Sequence, residues 1–415
     1  MISALEIMTG ELTGFAPPID RKAMLRWQFA RIREAMRRAA AKSDFYAARF
    51  SSVDIAAVDS LEALARIPFT RPEEIAAEPE GFVCAAERDI ARVTSLPTSG
   101  STGAPKRIHF TDGDLRRTAR LFELGMAPII GAGKRCLIMM SDAAPGSIAS
   151  LLKEGVEKSG AAAVIYGNIT DVDDAARAVR EGDVIVGVPS QMLHLCRKYP
   201  RLRPASLLLS GDYVPAPAPD AIRKTWQCRV YTHYGMTETC FGCAVQCSEE
   251  SAQHIRHDSL LIEIIDPLSG RRLGFGEEGE VVVTAFANEA MPLFRYRTGD
   301  ISSLVGGKCG CGSTLPRLGP VRGRLKNRIA IDGGSLSIEA LDDALYKNRD
   351  LWRYEAELSG GAQKRLRLGV CGGAGLSLSA LRAELAALLP PAVEVDIRHA
   401  ASLAAPLRKR RIAAE

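Results

Sequence analysis

A short stretch of glycines and hydroxyl residues that ends in a lysine has the composition of a phosphate-binding loop. Its sequence is Thr98-Ser99-Gly100-Ser101-Thr102-Gly103-Ala104-Pro105-Lys106. Glycines let the backbone approach a phosphate, hydroxyls donate hydrogen bonds to its oxygens, and the lysine adds a positive charge. The stretch is not a Walker A loop, because that motif needs glycine at Pro105 and Ser or Thr at Arg107. Composition alone would also suit a flexible linker.

Three later motifs carry groups that suit the other parts of a nucleotide. They are Tyr234-Gly235-Met236-Thr237-Glu238, Tyr296-Arg297-Thr298-Gly299-Asp300 and Gly323-Arg324-Leu325-Lys326. An aromatic ring can stack on a base, and a carboxylate such as Glu238 can hold the Mg²⁺ that neutralises phosphates. An aspartate at a turn can accept hydrogen bonds from both ribose hydroxyls. These motifs together indicate a nucleotide site.

Four cysteine and histidine residues have spacings that suit a metal. Cys247 and His254 form C-x₆-H, and Cys309 and Cys311 form a distant C-x-C. Two such pairs supply the four nitrogen and sulfur ligands that structural zinc prefers. The competing interpretation is ordinary reduced cysteines.

Three nearby residues leave alternatives to this ligand set. Cys240 and Cys243 form an additional C-x₂-C, which could supply alternative ligands, a redox pair or small packing residues. His257 competes with His254 as the imidazole ligand.

Alternating strands and helices precede and flank these motifs. Strands are predicted at 135–140, 162–167, 183–188, 206–211 and 229–235, and helices at 147–160, 173–182, 190–199 and 217–226. Strand–helix repeats of this length imply right-handed crossovers and a mainly parallel sheet, with ligands at the carboxyl ends of the strands.

The segments before and after this alternation have other patterns of predicted secondary structure. A long amphipathic helix is predicted over 20–47 with Asp20 as its N-cap, and the region from about 260 is β-rich, with strands at 260–266, 279–286 and 300–305. Helices at 342–348 and 378–389 belong to an α+β C-terminal segment. The predicted fold class is therefore α/β. A large N-terminal domain, 1–325, has mainly parallel sheets and a β-rich subdomain, and a small mobile α+β domain covers 326–415.

Composition narrows the class of protein. The chain has 415 residues, 25% of them charged, and a net charge of +5. This length suits two or three domains, and the mild charge gives little support for nucleic acid or membrane partners. The start of the chain lacks the pattern of a signal peptide, and 18 uncharged apolar residues never occur in a row. We therefore expect a cytoplasmic protein whose ten cysteines are thiols or metal ligands.

The four nucleotide motifs, in this order and at these separations, resemble those of the adenylate-forming superfamily. Within it the chain is most similar to the phenylacetate–CoA ligase branch. The likeness covers nearly the whole chain and extends to 187–192, 262–267, 276–284, 289–301 and 309–312. The branch also has a Cys, a His and a C-x-C-G at the positions of Cys247, His254, Cys309 and Cys311, so the resemblance implies a structural zinc.

The resemblance implies a role for each matching residue. The ATP phosphates would be cradled by Ser99, Gly100, Ser101, Thr102, Gly103 and Lys106. Adenine would be contacted by Ser210, Gly211, Asp212, Tyr234 and Gly235. Thr237 would touch the α-phosphate and Glu238 would bind Mg²⁺, while Asp300 would hold the ribose with help from Arg324. Lys326 matches a hinge about which the C-terminal domain rotates.

The implied activity is ATP-dependent ligation of a carboxylic acid to coenzyme A through an acyl-AMP, by an enzyme that forms homodimers. The adenylation lysine normally follows a Gly-Lys-x-x-Arg pattern; here the glycine is absent and Lys409 is the candidate. The branch tends to place aromatics where this chain has 141–146, Ser-Asp-Ala-Ala-Pro-Gly, so an aryl acid is not assured. Two alternatives are an adenylate-forming enzyme with another acceptor and a non-catalytic nucleotide-binding relative.

Overall fold

The computed structural model describes most of the chain. The described residues are 2–96, 105–131, 133–142, 146–249, 252–331, 334–360, 364–400 and 412–414. Helices are α1 Ala4–Thr13, α2 Arg21–Lys42, α3 Asp44–Arg49, α4 Leu61–Leu64, α5 Pro72–Ala77, α6 Asp112–Ile130, α7 Ile148–Lys158, α8 Val172–Ala178, α9 Pro189–Lys198, α10 Ala218–Trp226, α11 Ile338–Leu345 and α12 Leu378–Leu388.

The described residues also form twenty strands. They are β1 Ile90–Leu96, β2 Lys106–Thr111, β3 Arg135–Met139, β4 Ala162–Ile165, β5 Val184–Gly187, β6 Ser206–Leu209, β7 Arg229–Tyr234, β8 Ala244–Val245, β9 Gln253–Ile255, β10 Leu261–Ile265, β11 Glu278–Ala285, β12 Leu293–Val305, β13 Arg317–Leu318, β14 Gly323–Arg324, β15 Ile329–Ile331, β16 Gly334–Leu336, β17 Leu351–Ser359, β18 Arg365–Gly372, β19 Glu394–His399 and β20 Ala413–Ala414.

The chain divides into two compact units. The first comprises Met1–Ala132, Ala144–Gly160 and His233–Pro320, and the second comprises Gly133–Ala143, Ala161–Thr232 and Val321–Glu415. The predicted boundary near Lys326, which lies in the 3-10 turn Leu325–Asn327, stays a prediction.

The first unit is built on antiparallel strands and long helices. Its strands follow the order β10-β11-β12-β13-β9-β8, and β1 and β2 form a separate hairpin. Helices α6 and α7 approach closely at Gly155, where an added Cβ would lie 2.6 Å from the Ala119 carbonyl oxygen. A side chain at Gly155 would force the two helices apart.

The second unit contains the parallel sheet that the strand–helix alternation predicts. Strands β6, β5, β3 and β4 pair in that order, all parallel, and the first residues of β7 pair with β6. Strands β5 and β6 are buried along their whole length, as expected for a sheet covered on both faces. A second sheet, β19-β18-β17-β20, carries α11 and α12 in the C-terminal segment.

The mixed α/β fold class is confirmed, with a large multi-strand sheet and additional β-rich parts.

The long helix predicted over 20–47 is wrong in one respect. Asp20 caps α2 as predicted, accepting from the Ala23 amide at 2.8 Å, but the helix ends at Lys42. Ser43 has extended backbone and its side chain caps α3 by accepting from the Tyr46 amide. A serine that caps a new helix therefore divides the amphipathic run.

Within the described residues, no helix combines the length and the apolar character that crossing a bilayer would require.

Candidate active site

The segment after β7 is a tight turn that brings Glu238 into a buried position. Residues 237–239 form a 3-10 turn, and Cys240 and Phe241 follow with φ of 54° and 66°. The Phe241 amide donates to the Met236 carbonyl at 2.9 Å, which closes the turn. Left-handed backbone at non-glycine residues is uncommon and often marks functional sites. Glu238 is only 6% exposed as a result.

Gly235 explains why the Tyr-Gly-Met-Thr-Glu motif needs a glycine at its second position. A Cβ added there would lie 2.0 Å from the Phe241 carbonyl oxygen and 2.7 Å from the His233 ring. The returning backbone thus passes directly over Gly235. Thr237 contributes its carbonyl oxygen, which accepts from the Cys240 amide at 3.1 Å.

Glu238 is held by a lysine and a tyrosine. Lys106, the first residue of β2, forms an ion pair with Glu238 Oε1, and its Nζ also donates to the Tyr296 hydroxyl at 3.0 Å. The Tyr296 hydroxyl donates to the same Glu238 Oε1 at 2.9 Å. Burial alone would raise the pKa of Glu238, but Lys106 and Tyr296 outweigh it, and the pKa lies below its ordinary value. Glu238 is therefore an anionic carboxylate at neutral pH.

A second pair joins the turn to β12. The Tyr234 hydroxyl donates to Asp300 Oδ2 at 2.9 Å, and both side chains are buried. Burial and then the Asp300 charge raise the pKa of Tyr234, so the phenol keeps the proton that it donates. The Asp300 amide donates to Thr298 Oγ1 at 3.0 Å, which fixes the backbone at the carboxylate. Tyr234, which the sequence predicts to pack on a base, thus orients Asp300, the residue predicted to bind the ribose.

Some predicted residues belong to the second unit. Ser210 follows β6 and its amide donates to the Gly187 carbonyl at 3.1 Å. Gly211 has a φ of 88°, and Asp212 accepts from the Tyr213 amide at 2.9 Å. Arg324 ends β14. The turn after β6 therefore lies at the carboxyl end of a parallel strand, as expected for a ligand-binding loop.

Six predicted residues lie outside the described part of the chain. They are Ser99, Gly100, Ser101, Thr102, Gly103 and Lys409.

The predicted metal ligands come together in the first unit. The Sγ atoms of Cys247 and Cys309 are 3.8 Å apart, and Cys311 Sγ is 3.5 Å from His254 Nε2. All four ligand atoms lie within 4.8 Å of one another, and all four residues are buried. Strand β9 carries His254, whose partner on β13 is Arg317, so strand pairing brings the two parts together.

Two of the distances between these atoms match the edges of a tetrahedral metal site. With metal–sulfur bonds of about 2.3 Å and metal–nitrogen bonds of about 2.05 Å, a tetrahedron has S···S edges of about 3.8 Å and S···N edges of about 3.5 Å. Burial, followed by the neighbouring thiols, raises the pKa of Cys247 to about 12. A bound cation would reverse this shift because it favours the thiolate.

The competing ligands have other partners. The Cys240 thiol donates to Asn288 Oδ1 at 3.3 Å, and Cys243 Sγ lies 2.9 Å from Thr239 Oγ1. His257 Nε2 lies 2.9 Å from the Pro316 carbonyl oxygen. Burial raises the pKa of Cys243 to about 12, which makes it unreactive. The packing interpretation of Cys240 and Cys243 therefore fits best.

Two site residues escaped the sequence interpretation, Tyr296 and Asn288. Tyr296 stands in the same motif as Asp300, four positions earlier in the sequence. That proximity could have marked its hydroxyl as a candidate site group. Asn288 donates from Nδ2 to the Glu238 carbonyl oxygen at 3.0 Å. Its partner is a backbone group 50 positions away in the sequence. A contact with a distant backbone group cannot be predicted from the sequence pattern.

Comparisons with known proteins identify the family of the chain. The family model described as AMP-binding enzyme matches residues 31–287. Phenylacetate-coenzyme A ligase of Thermus thermophilus is 31% identical over 299 residues, which is 68% of this chain and 66% of that protein. The chain thus spans just under two thirds of this relative. The Pseudomonas putida protein of the same name is 26% identical over 79% of this chain and 77% of its own.

A solved structure shares the fold. It is a 2-hydroxyisobutyryl-CoA ligase in the postadenylation state with 2-HIB-AMP, at a TM-score of 0.79 and 20% identity, covering 94% of this chain and 89% of that one. The family model matches more than half of the chain, and its span includes the whole Glu238 turn. The chain therefore belongs to the AMP-binding enzyme family, and the two relatives described above are both named phenylacetate-coenzyme A ligase.

Proposed function

We propose that this protein is an ATP-dependent acid–CoA ligase. In the first step a carboxylate oxygen bonds to the α-phosphorus of ATP, and the bond to pyrophosphate breaks. In the second step the sulfur of CoA bonds to the acyl carbon, AMP leaves, and the thiol gives up its proton. The observation that carries the proposal is the hydrogen-bonded group of Lys106, Glu238 and Tyr296, together with the Tyr234–Asp300 pair.

The first-unit residues suit the nucleotide in distinct ways. Lys106 offers an ammonium to a phosphate oxygen, and Asp300, oriented by Tyr234, offers a carboxylate to the ribose hydroxyls. Glu238 is anionic and buried, which fits a Mg²⁺ that is held by one carboxylate and by substrate phosphates. Such an ion would supply positive charge against the phosphates. The protein residues themselves position and neutralise, as phosphate-centred displacements require.

The remaining predicted roles belong to the same proposal. The loop 98–105 with Lys106 would bind the ATP phosphates, Thr237 the α-phosphate, and Ser210, Gly211, Asp212 and Arg324 the rest of the nucleotide. Lys409 would orient the acyl carboxylate, and residues 326–415 would act as a lid that turns about Lys326. We also propose a cytoplasmic homodimer.

The cysteine and histidine cluster is proposed to hold structural zinc. Three sulfurs and one imidazole nitrogen form the ligand set of closed zinc sites, and the Cys247–Cys309 and Cys311–His254 separations match the edges of a tetrahedron. The cluster ties the segment after β8 to the segment before β13. We therefore assign the metal to stabilising the first unit and not to the chemistry.

Carboxylate-dependent ATP–pyrophosphate exchange against aryl and short-chain acids, with and without CoA, tests the function. We expect exchange with one class of acid and release of AMP when CoA is added. Glu238→Gln should lower exchange at least about a hundredfold, because it removes the anionic ligand. The matched control Glu11→Gln changes an exposed carboxylate paired with Arg120 and should leave exchange unchanged.

The same assay separates the alternatives. An enzyme with another acceptor would show exchange without CoA-dependent release of AMP. A nucleotide-binding relative would bind ATP and show no exchange with any acid, and that result would contradict the proposed ligase.

A further inference from the structure

The Tyr296 hydroxyl lies between the two charged groups of the site. It accepts a hydrogen bond from Lys106 Nζ at 3.0 Å and donates one to Glu238 Oε1 at 2.9 Å. Lys106 contacts the same carboxylate oxygen directly. Glu238 Oε1 therefore has two donors, one of them a cation and the other a neutral hydroxyl.

The backbone at Tyr296 is held from both sides. Tyr296 pairs with Val283 of β11, and the Arg297 amide on the next residue donates to the Thr70 carbonyl at 2.9 Å. On the preceding residue, the Arg295 carbonyl accepts from the Thr70 amide at 3.0 Å. The side chain is 2% exposed. Tyr296 is therefore a rigid partner for Glu238.

Lys106 is a different kind of partner. Its ammonium sits on a four-carbon chain with several rotatable bonds, and Lys106 is the first residue of β2, directly after the predicted phosphate loop in the sequence. Under the proposed function, Lys106 donates to a nucleotide phosphate. It must then give up some or all of its contact with Glu238. A buried carboxylate that loses one partner is strongly destabilised unless another donor or cation, such as the Tyr296 hydroxyl or the proposed Mg²⁺, remains in contact with it.

We propose that Tyr296 is a positioning residue for nucleotide binding. Its hydroxyl keeps Glu238 hydrogen-bonded and in place while Lys106 turns from the carboxylate to a phosphate. The ammonium can then be shared between two anions without leaving either one unpartnered. This inference rests on the proposed function, since it assigns Lys106 to ATP.

Tyr296→Phe tests the inference through nucleotide affinity. We expect the dissociation constant of MgATP, measured by titration calorimetry, to rise about tenfold, because a hydrogen bond to a charged group is lost. The kcat of exchange should change less than the KM for ATP. Unchanged MgATP affinity would overturn the inference.

Tyr46→Phe is the matched control. The Tyr46 hydroxyl is also buried in the first unit and donates to the Pro292 carbonyl oxygen. Its loss should lower the melting temperature without changing MgATP affinity. Equal losses of affinity in the two variants would show a general effect of a missing hydroxyl and would overturn the inference.

A double-mutant cycle with Lys106→Met isolates the mechanism. If Tyr296 acts because Lys106 changes partners, Tyr296→Phe should weaken MgATP binding less than about threefold once Lys106 is gone. An effect of the same size in both backgrounds would contradict the exchange of partners. Melting temperatures of all four proteins show whether each variant is folded.

The affinity measurement also separates this inference from the proposed ligase. A wild-type protein that binds MgATP but supports no exchange would contradict the ligase, and the comparison of dissociation constants would still decide the role of Tyr296. A ligase with normal MgATP binding in Tyr296→Phe would overturn the inference alone.

Discussion

Asn288 Nδ2 donates a hydrogen bond of 3.0 Å to the backbone carbonyl oxygen of Glu238. The same nitrogen lies 3.2 Å from the Met291 carbonyl oxygen, and Asn288 Oδ1 accepts from the Cys240 thiol at 3.3 Å. One buried carboxamide thus contacts both the middle of the turn, at Glu238, and the residue that follows it, Cys240. The carboxylate is held from one side by Lys106 and Tyr296, and its backbone is held by Asn288.

Replacing Asn288 by alanine should loosen this turn. The Glu238 and Met291 carbonyl oxygens lose a buried donor, which should lower the free energy of unfolding by about 2 kcal/mol. We expect ATP–pyrophosphate exchange to fall at least about tenfold, since the Glu238 position is no longer fixed. Urea unfolding and the exchange assay measure the two effects.

Asn348→Ala is the control for that change. Asn348 is partly exposed and accepts from the Asp350 amide at 3.0 Å, so its loss should have little effect on either measurement. An Asn288→Ala protein with wild-type exchange would contradict the positioning role.

The strands and helices of the second unit follow from the sequence because short apolar runs alternate with amphipathic runs and each run is clearly bounded. RCLIM, for example, becomes β3, and the predicted helix at 190–199 becomes α9. The site was only partly predictable. Glu238 and Asp300 stand in motifs, whereas the bond from Asn288 to the Glu238 backbone depends on tertiary folding alone. Local patterns do not contain such distant backbone contacts.

Gly235→Ala should disrupt the site by sterics alone. The new Cβ would lie 2.0 Å from the Phe241 carbonyl oxygen, so the returning backbone must move. We expect a drop in stability of about 2–3 kcal/mol and a loss of most exchange activity. Thermal unfolding and exchange check both effects.

Gly125→Ala is the control for this change, and we expect it to raise stability where Gly235→Ala lowers it. Gly125 lies in α6, and a Cβ added there meets nothing within 4 Å. Alanine should stabilise this helix by about 0.5–1 kcal/mol and leave exchange unchanged. If Gly235→Ala behaved like Gly125→Ala, the close approach of Phe241 would be wrong.

The metal cluster predicts one zinc ion per chain by elemental analysis. A strong chelator, or Cys309→Ser, should remove the ion and lower the melting temperature by about 5–10 °C, because metal binding contributes directly to folding. Cys84→Ser is the control, since Cys84 is buried in the first unit and its thiol contacts the Phe82 carbonyl oxygen. A full zinc content in Cys309→Ser would exclude this ligand set.

His194 predicts a loss of stability in mild acid. It stacks on Trp352 with ring centroids 6.0 Å apart, and burial, followed by Arg353 and Lys198, lowers its pKa to about 4. The unfolded value is about 6.5, so between these values the unfolded chain binds the proton more tightly than the folded chain. The free energy of unfolding therefore falls as the pH drops from about 6.5 towards 4.

At pH 5 the contribution of His194 is a loss of up to about 2 kcal/mol relative to pH 7.5. His194→Gln cannot take up this proton, so its free energy of unfolding should fall less over the same range. Urea unfolding followed by circular dichroism and by tryptophan fluorescence measures the difference. At pH 7.5 His194 is neutral in the folded and in the unfolded chain. The free energy of unfolding of His194→Gln at that pH therefore measures only the change in packing against Trp352. Equal losses in the two proteins between pH 7.5 and 5 would mean that His194 takes up its proton without unfolding, and that its burial against Trp352 does not hold in solution.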